Sequence, residues 1–251
     1  MGDWLVESLR LTLFPTPVPF ESANWWPQLM GAPPQRTESA GSGAETKQMS
    51  DTGSKRTALA IVPMRVDWSV ETAELEPGVM PTGIPDIGPF EAALQEFRDL
   101  AHRWFELPQC PAAKRLAIGG VFFHPEDNVE AAYRRLEDYT PIAIGPPPVS
   151  DFLYRINRPR GYVGIAGLGV NRLSQWSAAK FGQLRLQLQF GERGVVGDQA
   201  FVGNPTYYSR LLVDFNTVPD FRGEIPRQQL RPLFDQMLAW VTETATNGDV
   251  P

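Results

Sequence analysis

Imidazoles, thiols and closely spaced carboxylates supply most acid–base, metal and nucleophilic chemistry near neutral pH. This chain holds two histidines and one cysteine. His124 opens the run His124-Pro125-Glu126-Asp127, which sets an imidazole beside two carboxylates. Such a group can move a proton or ligate a metal. His124, with Glu126 or Asp127 assisting, is therefore the catalytic candidate. The same run also fits the start of a helix, with a proline near the first helical position and acids complementing the dipole of the first turn. His102 stands between Ala101 and Arg103 in an apolar helical stripe and reads as a helix-boundary residue. Cys110 has only Lys114 as a local cation, too little to activate a thiol. Soft ligands are too few for a zinc centre, so no metal or cofactor is assigned; the abundant acids leave a carboxylate magnesium site as the alternative.

Other motifs point to structure. Gly164, Gly167 and Gly169 run G-x-x-G-x-G, the reverse of the dinucleotide fingerprint, and no βαβ pattern surrounds them. They predict strand bending or close backbone approach. The chain has neither a phosphate-binding G-x-x-x-x-G-K-[ST] loop nor a G-x-S-x-G elbow. Asp67 and Glu71 flank Ser69, and Arg210 and Asp214 flank Leu212, as the outward face of a sheet does by default.

Charge is unevenly distributed. The formal net charge is −6, which argues against a nucleic-acid coat or a membrane-surface protein. Residues 151–200 nevertheless carry seven basic and three acidic side chains, a local balance of +4 against −10 elsewhere. Arg155, Arg158, Arg160 and Arg172 form the candidate binding strip, suited to an acidic protein patch or a phosphate backbone. Trp176 is its candidate aromatic anchor, since Trp is enriched at interfaces.

These side chains need elements to position them. Leu9, Leu11 and Leu13 alternate with polar residues as a half-buried strand. Val62, Met64, Val66, Trp68 and Val70 repeat the pattern, with an edge or bulge at Pro63. Phe90, Ala93, Leu94, Phe97, Leu100, Ala101, Trp104 and Phe105 make one helical stripe. Residues 115–123 read as a strand with a bulge at Gly119-Gly120, and Val129, Ala132, Tyr133 and Leu136 as the buried side of a second helix. Residues 151–157, 162–174, 183–190 and 207–215 are further strands, and Leu230, Leu233, Phe234, Met237, Leu238 and Val241 mark a closing helix. The expectation is one α+β domain over 1–251, with about four helices on one face of a mostly antiparallel sheet of about seven strands. Residues 32–55 read as a flexible Gly/Ser-rich loop and 245–251 as a disordered tail.

Leu9-Arg10-Leu11, the Trp25-Trp26 helix running to Leu29-Met30-Gly31, Gly169-Val170-Asn171-Arg172-Leu173 and Leu211-Leu212-Val213-Asp214-Phe215-Asn216-Thr217 stand in an order that resembles a sporadically distributed family of uncharacterised bacterial proteins. The resemblance implies a cytoplasmic prokaryotic protein with no assigned reaction; the Gly/Ser loop and the proline-rich linker depart from it. One cysteine, no signal-peptide pattern and no long apolar run agree with a cytoplasmic protein away from the membrane. The leading functional expectation is a non-enzymatic accessory or regulatory protein of a bacterial complex. It would bind a protein partner or form a homo-oligomer. Two alternatives stand beside it: a hydrolase of a phosphate-containing substrate working through His124, and a nucleic-acid binder using the basic strands of 151–200.

Overall fold

The alternating leucines near the N-terminus form the central strand of the fold. In the computed structural model this strand is β1 (Leu5–Pro15), followed by α1 (Trp25–Met30), β2 (Arg36–Ser39), β3 (Thr46–Thr52), β4 (Lys55–Val62) and β5 (Arg65–Thr72). Then come α2 (Phe90–Glu106), β6 (Ala113–Glu126), α3 (Val129–Tyr139), β7 (Leu153–Asn157), β8 (Arg160–Gly161), β9 (Gly169–Gly191), β10 (Gly194–Thr217) and α4 (Arg227–Asn247). The structure describes residues 3–16, 25–39, 45–75, 81, 83–145, 149, 151–191 and 194–249, and over 183–191 and 194–204 the backbone alone. All described pairings are antiparallel, in the order β2-β3-β4-β5-β1-β6-β10-β9-β7, with β8 also on β9. This is an α+β fold. Among the described residues no helix is long and apolar enough to cross a membrane.

Among the described residues the sheet has ten strands where about seven were expected, for local reasons. Pro63 and Met64 form a tight turn that splits one expected strand into β4 and β5. Met64 takes φ 67°, the left-handed value that the third position of a type II turn requires after proline. Residues 36–39 and 46–52, read as flexible loop, pair as the β2–β3 hairpin; 40–44 lie outside the described residues. The expected tail also has structure: α4 runs to Asn247, and Asp249 N donates to Tyr139 O at 2.8 Å. Residues 250–251 lie outside the described residues.

The Gly119-Gly120 pair is not a bulge. Both residues keep regular register with Arg10 and Leu9, and the irregularities of this pairing fall near Glu7 and the end of β1. The glycines make room instead. A Cβ on Gly120 would sit 2.6 Å from Phe122 Cζ on the core side, and one on Gly119 3.6 Å from Arg10 Nη2 on the other.

The helices cover one face of the sheet. Leu9, Leu11, Trp68, Leu116, Ile118, Phe122, Leu211, Val213 and Phe215 are buried there against the stripes of α2 and α4. Trp26 stacks on Trp68 at 5.9 Å, and Trp104 meets Trp25 at 5.6 Å and Trp68 at 6.2 Å, so one indole cluster joins α1, α2 and β5. The opposite face carries Ser8, Arg10, Thr12, Asp67, Ser69, Glu71, Gly119, Arg210 and Asp214 in register, as a one-sided antiparallel sheet does.

Candidate functional site

His124 and Glu126 belong to β6, and the helix after them starts later than the sequence suggested. Asn128 is the N-cap of α3, its side chain accepting from Ala131 N at 2.8 Å. The two residues are therefore alternate positions of one strand and share the face that α3 covers. Glu126 Oε1 lies 3.0 Å from His124 Nδ1 and accepts from Arg135 Nε of α3. Ser209, fully buried and directly across from His124 on β10, places its Oγ 3.0 Å from the same oxygen and 3.2 Å from Ala132 O. One carboxylate oxygen thus ties β6, β10 and α3 together. Arg135 pairs with that carboxylate from α3, so the arrangement joins a helix to the sheet. Asp127 is exposed and stands outside this knot.

The basic strip is divided between solvent and the fold. Arg155 is exposed. Arg158 donates to both carboxylate oxygens of Asp249 at 2.9 and 2.8 Å, and the Tyr154 hydroxyl adds a bond of 2.6 Å to Asp249. The Arg158 guanidinium holds the Asp249 carboxyl below its ordinary range, and burial followed by Asp249 pushes the Tyr154 phenol up. Arg160 donates to Glu243 at 2.8 Å and lies 5.7 Å from the Trp240 ring. Arg172 is buried on the helix side, 6.0 Å from the Phe215 ring, and burial pulls its guanidinium below the usual value while Glu243 and Asp249 resist. Trp176 is wholly buried beside Tyr154, 5.8 Å away, and offers no exposed ring to a partner. Arg158 and Arg160 are likewise held by carboxylates of this same chain, so the strip is not a continuous free surface.

Clefts also lie away from these residues. A groove of about 690 Å³ runs between α2 and strands β4 and β5, floored by Val70, Phe97 and Leu100, with the Lys55–Glu96 ion pair of 2.6 Å at its rim. A shallow trough of about 470 Å³ crosses the open sheet face over Gly119, between Arg10, Glu71 and Asp214. His124 lines neither. Among the described residues no group of His, Cys, Asp or Glu is arranged to hold a metal ion. Cys110 is buried, and its thiol is pushed up to about 12.

The feature missed in the sequence is the length of the last hairpin. β6 pairs with β10 only as far as Tyr207, and β7 with β9 only as far as Ser177. Beyond them β9 and β10 continue to pair with each other, through nine further residue pairs from Gln183↔Val202 to Gly191↔Gly194. A three-against-one irregularity between Val202 and Thr206 separates this ribbon from the sheet. At about 3.4 Å per residue the ribbon extends for about 27 Å. Leu184, Leu186, Leu188 and Phe190 alternate along β9, and Phe201 and Val195 stand across from the first and last of them. The alternation marks a strand in the sequence; nothing local shows that the neighbouring strands stop short. Comparison with family models, curated proteins and solved structures finds no match to this chain.

Proposed function

We propose that this is a non-enzymatic protein-interaction protein whose binding element is the β9–β10 ribbon. The ribbon carries the reading. A two-stranded hairpin is marginal in water unless a third strand or a packed surface supports it. Here nine pairs continue past the ends of both flanking strands, and Leu184, Leu186, Leu188 and Phe190 recur at alternate positions of β9, the pattern of a strand with one apolar face. Added strands and covered ribbons are common modes of protein recognition. Two further observations favour binding over catalysis: the His124–Glu126 pair is engaged by Arg135 and Ser209, and Arg158 and Arg160 are engaged by Asp249 and Glu243. Within this reading the protein is a cytoplasmic accessory component of a bacterial complex, in keeping with its single buried thiol.

The test is a variant in which residues 183–202 are replaced by an Asn-Gly turn. Binding partners of the full chain are identified by mass spectrometry and re-bound as purified components. The shortened protein, folded by circular dichroism, should lose them. Equal binding by both proteins overturns the reading.

A further inference from the structure

We infer that the ribbon's partner is a second copy of this chain, joined edge to edge through β9 about a two-fold axis at Gln187. The inference rests on the ribbon being the interaction element and adds what it binds.

Among the described residues neither edge of the ribbon carries a further strand, and the two edges differ. The β10 edge contains Gly197, Gly203 and Pro205 and the irregularity after Val202. Proline cannot donate to a ladder, and glycine weakens a strand. The β9 edge from 183 to 190 contains neither residue type and no lysine. Edges left this regular are templates for strand addition, which proteins otherwise block with Lys, Pro or bulges.

The β9 sequence is also complementary to itself. Antiparallel pairing about Gln187 sets Leu186 across from Leu188 and Leu184 across from Phe190 of the second copy. It sets Arg185 across from Gln189, so like charges do not meet. Apolar positions then match apolar positions and polar match polar, as strand register demands. A longer overlap centred on Leu184 would set Lys180 across from Leu188 and Gly182 across from Leu186, and loses that match. The Gln187 register leaves room for both bodies. The second copy's β7 ends opposite Ser177, which in this register falls six residues beyond Gly191, where β9 ends. Two ribbons become one four-stranded sheet, which supplies the support a lone hairpin lacks. The contact is isologous and closes on itself, as a two-fold contact must.

The register gives a discriminating test. Gln187 meets its own copy, and facing Cα atoms of an antiparallel pair lie about 4.5–5.5 Å apart, within the span of a disulfide. Gln187→Cys should therefore form a covalent dimer with diamide, the oxidant taking up the two thiol hydrogens. Gln183→Cys should not, because its two copies lie about 27 Å apart. Buried Cys110 stays out of the reaction. Light scattering on the unmodified protein should give twice the chain mass of 28.0 kDa at micromolar concentration. In a second pair of variants, Leu186→Lys with Leu188→Lys sets cation against cation across the axis and should give monomers. Leu186→Glu with Leu188→Lys sets opposite charges across it and should keep the dimer. A monomeric unmodified protein, equal cross-linking at 183 and 187, or equal behaviour of the two double variants overturns the inference. A monomer that still loses a different partner when the ribbon is shortened leaves the interaction reading standing. A dimer that survives shortening removes the inference, and it removes the interaction reading as well where every other partner is also retained.

Discussion

Removing the Glu126 carboxylate is the sharpest test of whether the one histidine–carboxylate pair of the sheet is a structural knot. Glu126→Ala deletes the acceptor shared by His124, Arg135 and Ser209. The three losses differ in weight. Arg135 keeps about a third of its side chain exposed and regains water, so its share is that of a surface pair, about 0.5 kcal/mol. Ser209 keeps Ala132 O as an acceptor and loses little. His124, with 17% of its side chain exposed, loses a bond to a charged group, worth about 1.5–3 kcal/mol. The sum is about 2–3.5 kcal/mol, or a fall in melting temperature of about 4–14 °C for a chain of this size. Glu126→Gln keeps an oxygen for Ser209 and His124 and should cost about 1 kcal/mol. Asp127→Ala, at an exposed position, should stay within about 0.5 kcal/mol. Urea unfolding followed by tryptophan fluorescence measures all three. A Glu126→Ala variant within 0.5 kcal/mol of the parent would refute the knot and reopen the pair as an acid–base site.

Two further outcomes follow from single positions. Gly120→Ala drives a Cβ to 2.6 Å from Phe122 Cζ, in a ring that is fully buried and packs on Phe90 at 5.0 Å. It should cost about 1–3 kcal/mol in urea unfolding, whereas Gly119→Ala, with 3.6 Å to the flexible Arg10, should be neutral or slightly stabilising. Asp249→Asn removes a carboxyl whose folded pKa is depressed by Arg158 and Tyr154. Its contribution is present above the unfolded value of about 3.9 and is lost as pH falls through the lower folded value, so parent and variant should differ at pH 6 and converge in acid. A pH-independent gap between them would show that the charge is not what holds the C-terminal segment.

What was legible in the sequence was whatever local periodicity decides. The stripe from Phe90 to Phe105 and the alternation of Leu9, Leu11 and Leu13 each place a hydrophobic face, and burying those faces gives the one-sided sheet. What failed depended on contacts and pairings that periodicity does not encode. Two glycines in a strand predict a bulge, yet Gly120 makes room for Phe122 two residues on and Gly119 for Arg10 on a neighbouring strand. Residues 36–52 look like loop because β2 is exposed throughout and is ordered by pairing, not by burial. The Pro63 turn hid because Met64 lies in phase with the apolar positions on either side while itself being 70% exposed.

The charge asymmetry, which pointed toward an anionic partner, has an internal explanation. Helix α4 has no basic residue in its last turn, carries Glu243 near its end and is followed by Asp249. A helix C-terminus bears partial negative charge, so two carboxylates there are unfavourable unless cations are brought to them. Arg158, in the connection after β7, and Arg160, in β8, stand 91 and 83 positions away in sequence and pair with these carboxylates. Buried Arg172 adds a third positive charge close enough to feel both carboxylates. Part of the basic excess over 151–200 and part of the acidic excess outside it are therefore two halves of one neutralised junction, set apart in sequence because the sheet is antiparallel and the helix follows last. This removes most of the electrostatic case for a nucleic-acid surface. The proposed interaction element lies elsewhere, in the stretch of the same segment that continues past its neighbours, where among the described residues 184–190 pair with β10 alone.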